Sequence, residues 1–347
     1  MTDPCLLAGS LSILVGDAAL VEPALSAVRD RVLLAVRFGA TGAPPLASPW
    51  VEVANPVLGS PPVLEVWLSD SPTARFERSR LAWAEGGGAL FGTLSRDLED
   101  DVEAATREQF TELLDLVEER NHPHLLRIWN FLPAINAELD GLERYRQFNA
   151  GRAAAFVERY GESGAEGRFS ASSAVGAPSG KLVTYFAAAR PPGRHLGNPR
   201  QLNAYRYPSE HGRRAPSFSR ATIAPAELGE LLFLSGTASI AGHQSLHAGS
   251  LAGQLEETVT NIHALLRGAS REGRAEARLD EFELLRVYVR HRESFPAVRD
   301  ALARRVGRAT RVLFVEADIC RAELLLEIEG VGRFDRSRPG FVRSLSR

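Results

Sequence analysis

At 347 residues, 44% apolar and 24% charged, the chain is long enough to bury a large core and to divide into two domains. A net charge of −2 gives no basic field for nucleic acid or an anionic membrane surface, and no apolar run reaches the length of a membrane span. Two cysteines far apart in sequence, Cys5 and Cys320, argue against a disulfide framework or a metal cage and fit a reducing cytoplasm.

The opening twenty residues are moderately apolar but lack a positive leader and are interrupted by Asp3, Pro4 and Gly9, so they read as an opening strand rather than a signal peptide. Up to residue 60 the pattern is one of short strands and turns, with Val32-Leu33-Leu34-Ala35-Val36 followed by a Gly/Pro-rich loop over 39–49. Strands are predicted over 63–68 and 88–94. A helix is predicted over 101–120, with Phe110, Leu113, Leu114 and Val117 along one face. A strongly apolar strand over 124–132, a helix over 142–160 and a strand over 181–189 follow, and Pro191-Pro192-Gly193 ends this half. The second half repeats the first. Its strand at 231–236 stands where 88–92 stood, and an amphipathic helix over 251–266 aligns Leu255, Val259, Ile262 and Leu266. The run Leu284-Leu285-Arg286-Val287-Tyr288 matches Leu125-Leu126-Arg127-Ile128-Trp129. A helix over 295–306 and a pair of strands ending at Glu329 complete it. The expected class is α+β, helices on one sheet face, in two units over 1–190 and 191–347 with a site in the cleft between them.

Within 314–329, Cys320 and Glu327 stand in an otherwise apolar run, and Glu327 is the only acid between Leu324 and Ile328. Alternation alone leaves two readings open: a carboxylate on a wet sheet face, or one carried into a cleft, where an ionised form is costly without a partner. Tyr145, Asn149 and Arg152 share a face at helical spacing and could present a hydroxyl, an amide and a guanidinium to one carboxylate; a surface arginine is the plainer alternative. Tyr205 and Tyr207 lie in a segment between Pro199 and Pro208 where a lid or wall would sit. Arg290 ends an apolar strand. His243 and His247 have i, i+4 spacing, but the flanking Gly242 and Gly249 and the absence of an intervening Glu argue for polar packing at a rim rather than zinc. Cys320 lacks a local histidine to make it a nucleophile and otherwise reads as a small buried hydrophobe, and Gly236 reads as a turn or bulge glycine. Dinucleotide, P-loop and serine-hydrolase motifs are missing.

The C-terminal Leu326-Glu327-Ile328-Glu329-Gly330 resembles the last strand of the RidA (YjgF-like) family. Tyr145-Arg146-Gln147-Phe148-Asn149-Ala150-Gly151-Arg152, Asn203-Ala204-Tyr205-Arg206-Tyr207-Pro208, Ser235-Gly236-Thr237-Ala238-Ser239 with Gly242-His243, and Ala317-Asp318-Ile319-Cys320-Arg321 together resemble the chorismatase family, a two-domain relative of RidA. The resemblance implies two RidA-like units in one chain in a pseudo-trimer-like arrangement. A single chain could then build internally the cleft that RidA-like units form as trimers, and so act as a monomer. It implies chorismate as substrate, no metal or redox cofactor, and no nucleic-acid or membrane partner. Glu327 becomes the acid/base, Arg152 and Arg290 grips for the two carboxylates, and Tyr145, Asn149, Tyr205 and Tyr207 further substrate contacts. Gly236 together with Cys320 resembles the type that forms 3-hydroxybenzoate and pyruvate; the alternative is hydrolysis to a dihydroxycyclohexadiene carboxylate. A RidA-like imine deaminase would need a P-x-R segment where Arg311-Val312-Leu313 has no proline, and a non-catalytic ligand-binding protein is the third reading.

Overall fold

The computed structural model describes residues 10–40, 42, 49–98, 101–139, 141–178, 180–269, 279 and 282–333. Cys5 lies outside them. The chain forms three larger sheets. The second sheet holds, in spatial order, Ala171–Ala177, His124–Pro133, Lys181–Ala189, Ala89–Asp97, Leu81–Gly86 and Ala74–Arg78. The third repeats that order with Arg311–Glu316, Phe282–Val289, Leu326–Arg333, Leu231–Thr237, Ala221–Ile223 and Arg194–Leu196. In both, the outermost pair at one edge is parallel and the final strand of the unit inserts between earlier ones in antiparallel register. The repeat expected from sequence is therefore a repeat of topology. The strands ending the second unit do not pair with each other as expected: Arg311–Glu316 pairs with Phe282–Val289, and Leu326–Arg333 lies between Phe282–Val289 and Leu231–Thr237.

The stretch before residue 70, uninformative in sequence, forms a sheet of its own. Trp50–Val53, Val32–Phe38, Val63–Ser69 and Leu11–Asp17 follow one another in the order of the first four strands of each larger sheet, again with a parallel edge pair. One short helix, Ala18–Ala24, stands between its first two strands in chain order. The strand at 63–69 thus closes this small sheet instead of opening the next one.

Helices cover one face of each larger sheet. Val102–Glu119 begins at Asp101, whose Oδ1 accepts from the Ala104 amide at 2.8 Å, and buries Phe110, Leu113, Leu114 and Val117. It packs on Arg144–Ala165. A Cβ on Gly151 would fall 2.1 Å from the Glu103 carbonyl oxygen, so this crossing requires glycine. Leu251–Ala269 and Phe295–Ala303 cover the third sheet. The opposite faces of the three sheets meet around Trp67, Trp129 and Phe233, one from each sheet, with ring centroids 5.9–6.3 Å apart. Beside them is a buried ionic network: Arg286 bridges Glu65 (2.5 Å) and Glu329, and Glu329 also accepts from Arg127 at 2.5 Å.

Candidate active site

Where the second and third sheets adjoin, they are stitched by hydroxyls. The Ala171 amide donates to Thr222 Oγ1 (2.8 Å), the Ser172 amide to Ser235 Oγ (3.0 Å), and Ser235 Oγ to the Ser219 carbonyl (2.6 Å). The strand Ala171–Ala177, not anticipated because Ala, Ser and Gly give it no apolar alternation, is what permits this close approach. Along the seam opens a cavity of about 490 Å³. Its walls are Tyr145 and Arg152 from one helix, Ser172 and Ser173, Gly236 and Glu327 from the third sheet, Cys320 and Arg321 from the loop before the last strand, and Tyr207, Phe218 and Arg220 from the inter-sheet segment.

Glu327 and Glu329 share a strand face two residues apart, while Leu326 and Ile328 point into the helix-covered core. The face is not wet: it is closed by the second sheet, and Glu327 is 4% exposed with Oε1 buried and unpartnered. Burial, helped by the nearby charge of Glu329, pushes the Glu327 carboxyl up to about 8, although Arg127 and Arg220 pull the other way. For Glu329 burial also favours the neutral form, but Arg127 and Arg286 outweigh it and hold the carboxyl below the usual range.

Gly236 is not a turn glycine. It lies in Leu231–Thr237 beside the last strand, at a point where the antiparallel register shifts. A Cβ there would fall 2.0 Å from Glu327 Oε1, 2.6 Å from Cδ and 3.2 Å from Ser173 Cβ. The missing methyl makes room for the Glu327 carboxyl itself. Cys320 lines the same cavity; burial and then the Glu327 charge push its thiol up to about 12, so it is a neutral thiol and no ready nucleophile.

Arg152 is 1% exposed and has no carboxylate within 4.0 Å among the described residues. Its Nη2 donates to Asn149 Oδ1 at 3.1 Å and its Nη1 lies 3.4 Å from Ser172 Oγ; Nε has no partner, and burial pulls the guanidinium down to about 10. Asn149 thus holds Arg152 from behind the cavity wall. Burial likewise raises the Tyr145 phenol above its ordinary value, keeping it a neutral donor.

Two sequence expectations change here. Arg290 does not reach the cavity, because its donors are used on Leu324, Ile319 and Arg321 carbonyls, Asn136, and Asp318 at 2.6 Å. Tyr205 is packed on Phe169, with its hydroxyl accepting from Asn203, and is no wall of the cavity. Tyr207 is, and its hydroxyl accepts from Arg220 Nη2 at 2.7 Å. The second buried guanidinium on the cavity is Arg220, 4% exposed, stacked near Tyr207 and Phe218 and without a carboxylate partner among the described residues. Arg220 follows Ser217-Phe218-Ser219 in a short extended stretch where sequence periodicity carries no signal; only its place one residue before a strand could have drawn attention. Arg321, missed as well, joins this group.

Comparison with known proteins bears directly on this arrangement. The family model for the N-terminal domain of FkbO/Hyg5-like chorismatases matches residues 65–188. A 3-hydroxybenzoate synthase of Streptomyces hygroscopicus is 34% identical over 78% of this chain and 81% of its own length. The chain belongs to the chorismatase family. A chorismatase of Streptomyces rapamycinicus is 38% identical over 77% of this chain and 81% of its own length. The crystal structure of a chorismatase superposes with a TM-score of 0.84 at 30% identity, covering 94% of this chain and 99% of that one. Among the described residues no helix is long and apolar enough to cross a membrane.

Proposed function

We propose that this chorismatase converts chorismate to 3-hydroxybenzoate and pyruvate, with Glu327 as the acid. The observation that carries the reading is a buried carboxyl, neutral at neutral pH, in a cavity that also presents the buried guanidiniums of Arg152 and Arg220, neither with a carboxylate partner among the described residues. The substrate is a dianion; Arg152, with Tyr145, and Arg220, with Tyr207, would take one carboxylate each. A protonated Glu327 gives its proton to the methylene carbon of the enolpyruvyl ether. The ether oxygen then leaves as the carbonyl of pyruvate, breaking its bond to the ring. The neighbouring ring hydroxyl oxygen bonds to that ring carbon and gives up its proton, bridging the two carbons. Its bond to its original carbon then breaks, the carbon that received it loses its hydrogen as a proton, and the oxygen takes up one proton as the phenol, which leaves the ring aromatic. One proton is taken up by the methylene carbon and the ring system returns one to the carboxylate, so the products contain every atom of the substrate and no water.

The 3-hydroxybenzoate outcome, rather than a dihydroxycyclohexadiene carboxylate, rests on Gly236 and Cys320 in a pocket that fixes the acid tightly, and on the name of one relative. Every wall named above lies on one chain, which supports a site complete within a monomer, and a reducing cytoplasm suits the neutral Cys320 thiol. The test is incubation with chorismate in ¹⁸O-labelled water. Unlabelled 3-hydroxybenzoate with one equivalent of pyruvate is expected; a diene diol as main product, labelled or unlabelled, would overturn the intramolecular step.

A further inference from the structure

Outside the groups used above, Glu210, His211 and His243 converge at one point on the rim of the cavity. Glu210 and His211 stand on the turn Ser209–His211, entered from Pro208 and left at Gly212 with φ +136°. His243 is at the tip of the hairpin joining Ile240–Ala241 to Gln244–Ser245, a two-residue turn whose first member, Gly242, has φ +58°. His243 therefore meets His211 and not His247, which faces Glu257 at 3.8 Å. His211 Nε2 is 3.0 Å from His243 Nδ1, and Glu210 Oε1 is 3.4 Å from the first and 3.2 Å from the second.

Those three separations describe one face of a tetrahedron. Ligand atoms held 2.0–2.1 Å from a four-coordinate zinc ion stand roughly 3.3–3.4 Å apart, close to the spacing present here. Hydrogen bonding explains the trio less well. Two neutral imidazoles can place one proton between Nε2 and Nδ1, which leaves a lone pair on one nitrogen facing the Glu210 carboxylate at the same short distance. A cation at the centre satisfies all three atoms at once. The ligand types, two imidazoles and a carboxylate with an exposed side open to water, suit a divalent ion of the zinc class. We infer that Glu210, His211 and His243 form a zinc-class metal site that joins the inter-sheet segment to the 240–245 hairpin at the cavity rim. The Arg321 guanidinium donates to the His243 carbonyl, and Glu143 and Glu323 line the same rim.

The test is titration of the full chelator-stripped chain with Zn²⁺ against a chromophoric chelator, with Co²⁺ as a spectroscopic substitute. One equivalent per chain and the absorption of four-coordinate cobalt are expected. His243→Ala and Glu210→Gln should each weaken binding by about 10-fold or more, and His247→Ala should leave it unchanged. Circular dichroism checks that each variant is folded, and His243→Gln serves if the alanine variant is not. Absence of saturable binding overturns the inference, as does binding that survives both ligand substitutions or is lost with His247.

Discussion

Glu327 and Glu329 sit two residues apart on one strand face, yet the first is neutral at pH 7 and the second is ionised. Partners make the difference: Glu329 is held between Arg127 and Arg286, whereas Glu327 Oε1 has none. Glu327→Gln keeps the shape and removes the proton, so turnover should fall by roughly 10²–10⁴-fold with substrate binding retained. Steady-state kinetics with a binding titration checks this. The pH dependence has a definite sign. The protonated carboxyl is the active form, so kcat/KM should be level below about 8 and fall tenfold per pH unit above it; a rise across that range would exclude Glu327 as the acid. At Gly236 an added methyl presses on the acid rather than on the substrate ring. Gly236→Ala should therefore lower kcat by about 10²-fold, the scale of a misplacement of about 1 Å, and admit diene diol among the products, read by chromatography.

At the scale of elements, the loop between Glu316 and Leu326 shows how an arginine expected in the site comes to support it. Its carbonyls at Ile319, Arg321 and Leu324 turn onto Arg290, which presents Cys320 and Arg321 to the cavity. Arg290→Ala should cost about 1.5–3 kcal/mol of stability in urea denaturation and reduce kcat. Arg152→Ala and Arg220→Ala should instead raise KM by roughly 30-fold or more, because each removes a buried grip on an anion; lysine should rescue only partly. If KM is unmoved in both, the two guanidiniums are not carboxylate sites. The helix carrying Arg152 was legible from its spacing, but its depth was not. That depth comes from Gly151 letting the helix close onto the Glu103 carbonyl.

Three larger sheets of one strand order surround a shared interior, the first reduced to four strands. Its centre holds Glu65 from the first sheet, Arg127 from the second, and Arg286 and Glu329 from the third, so the charge that raises Glu327 is fixed by all three. Arg286→Met would leave Glu329 with Arg127 and the buried Glu65 with the Trp67 indole N–H but no cation. It should cost about 3–5 kcal/mol, measured by chemical denaturation. A loss under about 1 kcal/mol would mean that the centre admits water.

The amino-acid sequence by itself determined the helices and most strands, because apolar spacing of 3.6 or 2 is a local property. It also determined the repeat from 88 to 329 and the motif order that resembles chorismatases. Glu327 stood out as the lone acid of an apolar run. Tertiary structure alone decided what closes over that acid, since alternation fixes the face a side chain takes but not what packs on the face. It decided that the strands between residues 11 and 69 form a sheet of their own, because their short apolar runs carry no sign of which strands they pair with. And it decided which arginines are free to hold an anion. Arg290 and Arg220 are indistinguishable as letters; one has its donors taken by a loop folding back on it, and the other faces the cavity beside a tyrosine.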